Sequence, residues 1–160
     1  CGKRPHSGAD ALYFRMGPSL LTTRLQRIHQ RVQSMTMPMN PVTWFEIYTT
    51  DLERAKTFYE AVFGKALSPE PTDGSFKAYR FPGTMPGAGA MGALMHHPMR
   101  TPSRQGNMIY FHCDNCSTRS QLAKENGGQI HREKWSIGKD GFIAIIEDTE
   151  GNVIGLHSFE

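Results

Sequence analysis

The run from Trp44 to Gly64 constrains the fold more than any other stretch of this chain. Thr43, Phe45 and Ile47 alternate with Trp44, Glu46 and Tyr48, the two-residue period of a strand with one apolar and one mixed face. Thr50-x-x-Glu53 reads as a capping box, its hydroxyl and carboxylate satisfying free N–H groups of a first helical turn. Leu52, Ala55, Phe58, Tyr59, Val62 and Phe63 then share one helical stripe, and Gly64 supplies a left-handed stop. A strand delivered straight onto an amphipathic helix is a βα unit, and a single helix covers only one face of the sheet it joins.

The unit repeats. A shift of 64 positions places Ile109 and Phe111 on Phe45 and Ile47, and Met108, Tyr110 and His112 on Trp44, Glu46 and Tyr48. Asp114, Asn115 and Ser117 supply capping groups, a second helix runs through Leu122 and Ala123, and Gly64 maps onto Gly128. Strands are expected near 66–68, 76–81 and 89–96 after the first helix, and near 129–132, 141–147 and 153–158 after the second. Each half is therefore βαβββ. The expected fold is α+β, with module one over 42–96, a linker over 97–106 and module two over 107–158. The two modules should form a curved, cup-shaped mixed sheet with the helices on its outer face. The concave face then gathers aromatic and ionisable side chains, a composition common in ligand sites.

Residues 1–40 differ in character from this domain of residues 41–160. They hold six Lys/Arg against one acidic residue, whereas residues 41–160 hold twelve basic and fourteen acidic side chains. The excess positive charge belongs to the extension, so the domain itself offers no basic face for nucleic acid. Leu20, Leu21, Leu25, Ile28 and Val32 recur at helical spacing opposite Arg24, Arg27 and Arg31, a basic amphipathic helix over 18–35. Such a helix is compatible with a membrane surface, a partner groove or an organelle presequence, and more simply with docking on its own domain or a second subunit. Met35, Met37 and Met39 are each a candidate start, since the sequence begins on Cys1. No apolar run approaches the ~20 residues that span a bilayer, so no membrane partner is expected. Three cysteines make no disulfide framework, and a reducing cytoplasm is the expected compartment.

The motif D-L-E-R-A-x-x-F-Y-x-x-x-F-G at 51–64, opening a βαβββ repeat, resembles the vicinal oxygen chelate superfamily of glyoxalases, bleomycin-resistance proteins and extradiol dioxygenases. The run from Phe142 to Leu156, with Asp148-Thr149-Glu150-Gly151-Asn152 at its centre, is similar to that superfamily's F-x-x-x-x-D-P-D-G-N-x-x-E-L ending. The resemblance covers residues 42–158. It implies a small-molecule ligand, a homodimer and, in many members, a divalent metal held by the first and last strands of each module. Carried onto this sequence, the ligand positions are Trp44, Met108, Gly155 and either Gly92 or Ala93. None of these side chains is a credible ligand, so no metal cofactor is expected.

Strand alternation places Glu46, Tyr48, Tyr110, His112 and His157 on the concave face beside Trp44. Trp44, Tyr48, Met108 and Tyr110 are the candidate ligand-binding residues. Glu46 is a candidate general base, with His112 and His157 as acid or orienting groups. Two histidines and a carboxylate also suggest a displaced metal site on Glu46, His112 and His157. The expected function is therefore a metal-free binding protein, or alternatively a lyase, isomerase or dioxygenase-type enzyme working through Glu46 or that displaced metal. Gly87-Ala88-Gly89-Ala90-Met91-Gly92 matches GxGxxG literally but lacks the following helix that a dinucleotide site needs. Cys113-x-x-Cys116 has no second pair with which to bind zinc, and neighbouring His96 and His97 point opposite ways along a strand.

Overall fold

The computed structural model describes residues 41–84 and 89–160. The basic stretch 1–40, with its expected helix, and the first two residues of the glycine-rich run lie outside the described residues. Module one comprises β1 (Trp44–Tyr48), α1 (Leu52–Phe63), β2 (Ser68–Pro69), β3 (Lys77–Arg80) and β4 (Met91–His96). Module two comprises β5 (Tyr110–His112), α2 (Cys116–Glu125), β6 (Gln129–Ser136), β7 (Phe142–Glu147) and β8 (Val153–Ser158). The modules share one topology. Their sheets run β1-β4-β3-β2 and β5-β8-β7-β6, with a parallel first pair and antiparallel pairs thereafter. They are two separate four-stranded mixed sheets rather than a closed barrel.

The register settles the faces. Ile47 pairs with Leu94 and Phe111 with Leu156, and these side chains join Ala55, Phe58, Tyr59 and Val62 of α1 and Ala123 of α2 in one core that spans both modules. The opposite face carries Glu46 beside Ala93 and Tyr48 beside Met95 in module one. Its module-two counterpart carries Tyr110 beside Gly155 and His112 beside His157. Ala93 is thus the equivalent of Gly155. Met108 falls just ahead of β5, which is shorter than its sequence pattern suggested.

Local punctuation differs from expectation at two helix ends. The N-cap of α1 is Asp51, whose carboxylate accepts from the Arg54 N–H at 3.0 Å, and not Thr50. Glu53 does not reach back to close a capping box; it accepts from the Tyr79 hydroxyl at 2.7 Å instead. Gly64 does end α1 in the left-handed region, at φ 64°. In α2 the cap is Asn115, which accepts from the Ser117 and Thr118 N–H groups, and the left-handed residue is Gly127 rather than Gly128.

What joins the modules is the second motif read onto the first. Asp148 Oδ1 accepts from the N–H groups of Glu150 and Asn152, both at 2.8 Å, which shapes the β7–β8 turn. Its Oδ2 accepts from the buried Tyr59 hydroxyl of α1 and from Asn152 Nδ2, both at 2.9 Å. Asn152 Nδ2 also donates to the Tyr48 carbonyl at 3.0 Å. Glu150 reaches across to the start of α1: Oε2 accepts from the N–H groups of Thr50 and Asp51 and from the Thr50 hydroxyl, and Oε1 accepts from Arg54 Nε at 2.8 Å. A carboxylate from module two therefore finishes the helix N-terminus of module one, where free N–H groups and the helix dipole favour negative charge.

The linker is tied down in the same way. Ser103 N–H donates to Asn152 Oδ1 at 3.0 Å, and Arg104 donates twice to the buried Glu147 carboxylate, which also bonds His131 Nε2 at 2.6 Å.

Candidate functional site

A cleft of about 770 Å³ is lined from both modules. Module one contributes Phe45, Phe63 and Phe81, and module two contributes Phe111, Tyr110 and His112. Four of these rings, those of the phenylalanines, are half-buried, with Phe63 and Phe111 centred 4.7 Å apart and Phe45 and Phe111 meeting edge-on at 5.7 Å. The cleft wall thus comes largely from the face assigned by sequence to helix packing. Phe45 and Phe111 do contact the core, yet each leaves part of its ring to the cleft. Nothing in their alternation distinguishes a fully covered ring from a half-covered one, so this wall was not visible in the sequence.

The residues singled out from sequence fall into two groups. Met108, Tyr110 and His112 line the cleft, while Trp44, Glu46, Tyr48 and His157 do not. Trp44, Met108 and Tyr110 are large and exposed, at 39%, 43% and 48%. The Tyr48 hydroxyl donates to Glu46 Oε2 at 2.5 Å, and the Arg100 guanidinium lies 5.9 Å from the Tyr48 ring centre. That hydrogen bond, with burial and the Glu46 charge behind it, raises the Tyr48 pKa above its ordinary value. Glu46 is exposed in this chain and is not enclosed by the aromatic residues expected to surround it. The rings of His112 and His157 are 6.3 Å apart, and Phe159 packs against both. His157 Nε2 donates to the Asp140 carbonyl at 2.7 Å, which leaves Nδ1 as the acceptor of the neutral ring.

Cys113 and Cys116 are both buried, with Cys113 Sγ 3.9 Å from Cys116 Sγ, and burial together with that neighbour pushes the Cys113 thiol up to about 12. His96 bonds the Thr49 carbonyl and His97 accepts from the Met99 N–H, so the two do not act together.

A model of the Glyoxalase/Bleomycin resistance protein/Dioxygenase superfamily matches residues 41–156. This chain belongs to that superfamily. Among its relatives is a Mycobacterium tuberculosis protein carrying a provisional glyoxylase name, 28% identical over 115 residues. That stretch is 71% of this chain but 43% of the relative, so the chain spans less than half the length of the curated protein it matches. Glyoxalase I of Zea mays superposes with a TM-score of 0.56 at 21% identity, over 72% of this chain and 45% of that one. An antibiotic-binding protein from a Streptomyces species superposes with a TM-score of 0.54 at 22% identity, over 76% and 98%. These likenesses are of fold.

Within the superfamily, the donor set decides whether the usual metal fits. Of the positions that the resemblance assigns, Trp44, Met108, Gly155 and either Gly92 or Ala93, the register makes Ala93 the counterpart of Gly155. The Tyr110 ring lies across Gly155 so closely that a Cβ there would run into it, and Ala93 is wholly buried. These residues do not fit a divalent ion. The displaced alternative also fails geometrically. Among the described residues no three His, Cys, Asp or Glu side chains are placed to hold a metal, so Glu46, His112 and His157 do not come together as a ligand set. No helix among the described residues is long and apolar enough to cross a membrane.

Proposed function

We propose that this superfamily member binds a small organic ligand without using the superfamily's metal positions. The observation that carries the reading is the cleft of about 770 Å³, walled by half-buried phenylalanines and bordered by Tyr110, His112 and a few charged side chains. Small-molecule sites commonly occupy ~300–1,000 Å³, with mostly apolar walls and a small number of placed polar groups. The presence of an antibiotic-binding protein among the structural neighbours supports a binding role. The homodimer and cytoplasmic setting expected from sequence belong to the same reading; sedimentation at monomer mass would remove the first.

A thermal-shift screen of the full chain across aromatic and α-keto compounds tests it. A ligand at about 100 times its Kd should stabilise the fold by ~2.7 kcal/mol, and EDTA should leave that gain unchanged. A screen in which stabilisation appears only after adding manganese, iron, cobalt, nickel or zinc would sink the metal-free part. One with no stabilising compound would sink the whole.

The Tyr48 hydroxyl bonds to Glu46 and fixes the position of that exposed carboxylate, which favours a second reading, in which Glu46 works as a general base on a ligand held at the concave face. For a substrate found by the screen, Glu46→Gln should lower turnover by roughly 10²–10⁴-fold while the melting midpoint stays put. Unchanged turnover in that variant removes Glu46 from the chemistry.

A further inference from the structure

The charged groups around the cleft are unevenly committed. Asp114 is the only carboxylate on the lining among the described residues, and it is occupied by Arg119, whose Nε and Nη2 donate to its two oxygens at 2.9 and 3.2 Å. Arg119 Nη1 is occupied as well, donating to the Val62 carbonyl at 2.9 Å and so closing the C-terminal end of α1. Lys65 follows directly on the Gly64 stop, is exposed, and lines the same cleft. Among the described residues its ammonium has neither an ion-pair nor a hydrogen-bond partner. One positive charge is therefore left over at the exposed edge of a wall of aromatic rings, where it can meet an anion that the rings hold in place.

The rings themselves select for flat partners. Phe45, Phe63, Phe81 and Phe111 meet one another at tilted and edge-on angles with centres 4.7–5.7 Å apart, the arrangements by which aromatic groups pack. We infer that the cleft takes a planar aromatic molecule bearing one anionic group, a carboxylate, sulfonate or phosphate. Its ring system lies against the four phenylalanines and its anion at Lys65. The inference rests on the ligand-binding reading and narrows it to a chemical class. It also places the ligand at a wall shared by the two modules, apart from the concave face where Trp44, Glu46, Tyr48 and His157 stand.

The test is a fluorescence titration of the full chain with anilinonaphthalene sulfonate and with phenylnaphthylamine, its uncharged counterpart. The sulfonate should bind one site per chain, roughly three- to tenfold more tightly than the neutral probe. Lys65→Gln should bring the two affinities together, and Lys65→Glu should make the neutral probe the better ligand. Because Lys65 is exposed, both variants should melt with the parent. Phe111→Leu should weaken both probes alike without touching their ratio. Equal binding of the two probes by the parent overturns the anionic class while leaving the ligand-binding reading standing. A preference that survives Lys65→Gln overturns the class in the same way. Binding of neither probe overturns the aromatic-anion class, and the ligand-binding reading is then decided by the thermal-shift screen. Probe binding that falls as protein concentration rises at a fixed ratio would assign the cleft to a second copy of the chain and overturn the proposal too.

Discussion

Asp148→Ala should cost about 3–5 kcal/mol of folding stability, a large share of the ~5–15 kcal/mol that holds a domain of this size together. The aspartate is buried at 4% exposure, and its two oxygens serve four donors. Removing it takes away the acceptor of the Tyr59 hydroxyl, which is buried in the core and bonds to Asp148. It also takes away the acceptor that folds the N–H groups of Glu150 and Asn152 inward, so the turn that touches module one loses its shape. Burial raises the Asp148 pKa, against the hydrogen bonds from Asn152, Tyr59 and Glu150 that lower it, so the charge itself is held at some cost. The value of the residue lies in satisfying partners that would otherwise be unpaired. Urea unfolding measures the loss, and a cycle with Tyr59→Phe isolates the bond between the two side chains. If Asp148→Ala unfolded within 1 kcal/mol of the parent, the turn would not be what joins the modules.

Glu150→Gln should remove about 2 kcal/mol at neutral pH and flatten the acid side of the stability profile. Burial would raise this carboxylate's pKa, but the hydrogen bonds from Arg54, the Thr50 hydroxyl and the backbone of Thr50 and Asp51 outweigh it and hold the group at about 2 against a usual 4.5. A carboxylate depressed in the folded state contributes its full stability above its unfolded value. That contribution fades as pH falls from about 4.5 towards 2. Asp148 works in the opposite direction, since its raised pKa lets acid relieve part of its burial cost. In the parent, the unfolding free energy should therefore decline across that window, and in Glu150→Gln much of the decline should be gone. Parallel pH profiles for the two proteins, followed by circular dichroism under mild urea, would remove Glu150 from the account. Arg54 is half exposed, which is why the figure is set below the full shift.

The contrast between these carboxylates and the earlier expectations shows what the sequence carries. Period-two alternation correctly sent Ile47 inward and Trp44 outward, and the spacing of Leu52, Ala55, Phe58 and Val62 up to Gly64 gave α1 its length and its stop. The repeat at 64 residues correctly predicted a second βαβββ unit. These are local signals, set by neighbours a few positions away. Thr50 and Glu53 also look locally like a capping box, but Glu150 occupies the donors that Glu53 would have taken, and Tyr79 occupies Glu53. Competition from a partner a hundred residues away leaves no trace in a four-residue pattern. The site follows the same division. Trp44, Met108 and Gly155 could be assigned to the superfamily's ligand positions from sequence alone, because motif spacing is local. The cleft, Lys65 and the Arg119–Asp114 pair depend on how two sheets lie against each other, and no periodicity encodes that. β6 shows a milder case: its register shifts near Arg132 and Trp135 carry it to Ser136, beyond the expected end at 132.

The carboxylate that finishes α1 has a consequence for the order in which the molecule is made. Glu150 is 100 residues downstream of Thr50, so at about 5–20 residues per second a ribosome needs roughly 5–20 s after the helix emerges to deliver its last hydrogen-bonding partner. Throughout that interval the start of α1 has only Asp51 to hold it, and the nascent first module exposes the phenyl rings that Phe111 will later meet. Contacts of such long sequence separation form late. The cleft and the completed helix should arrive together, as one event, when the second module closes on the first.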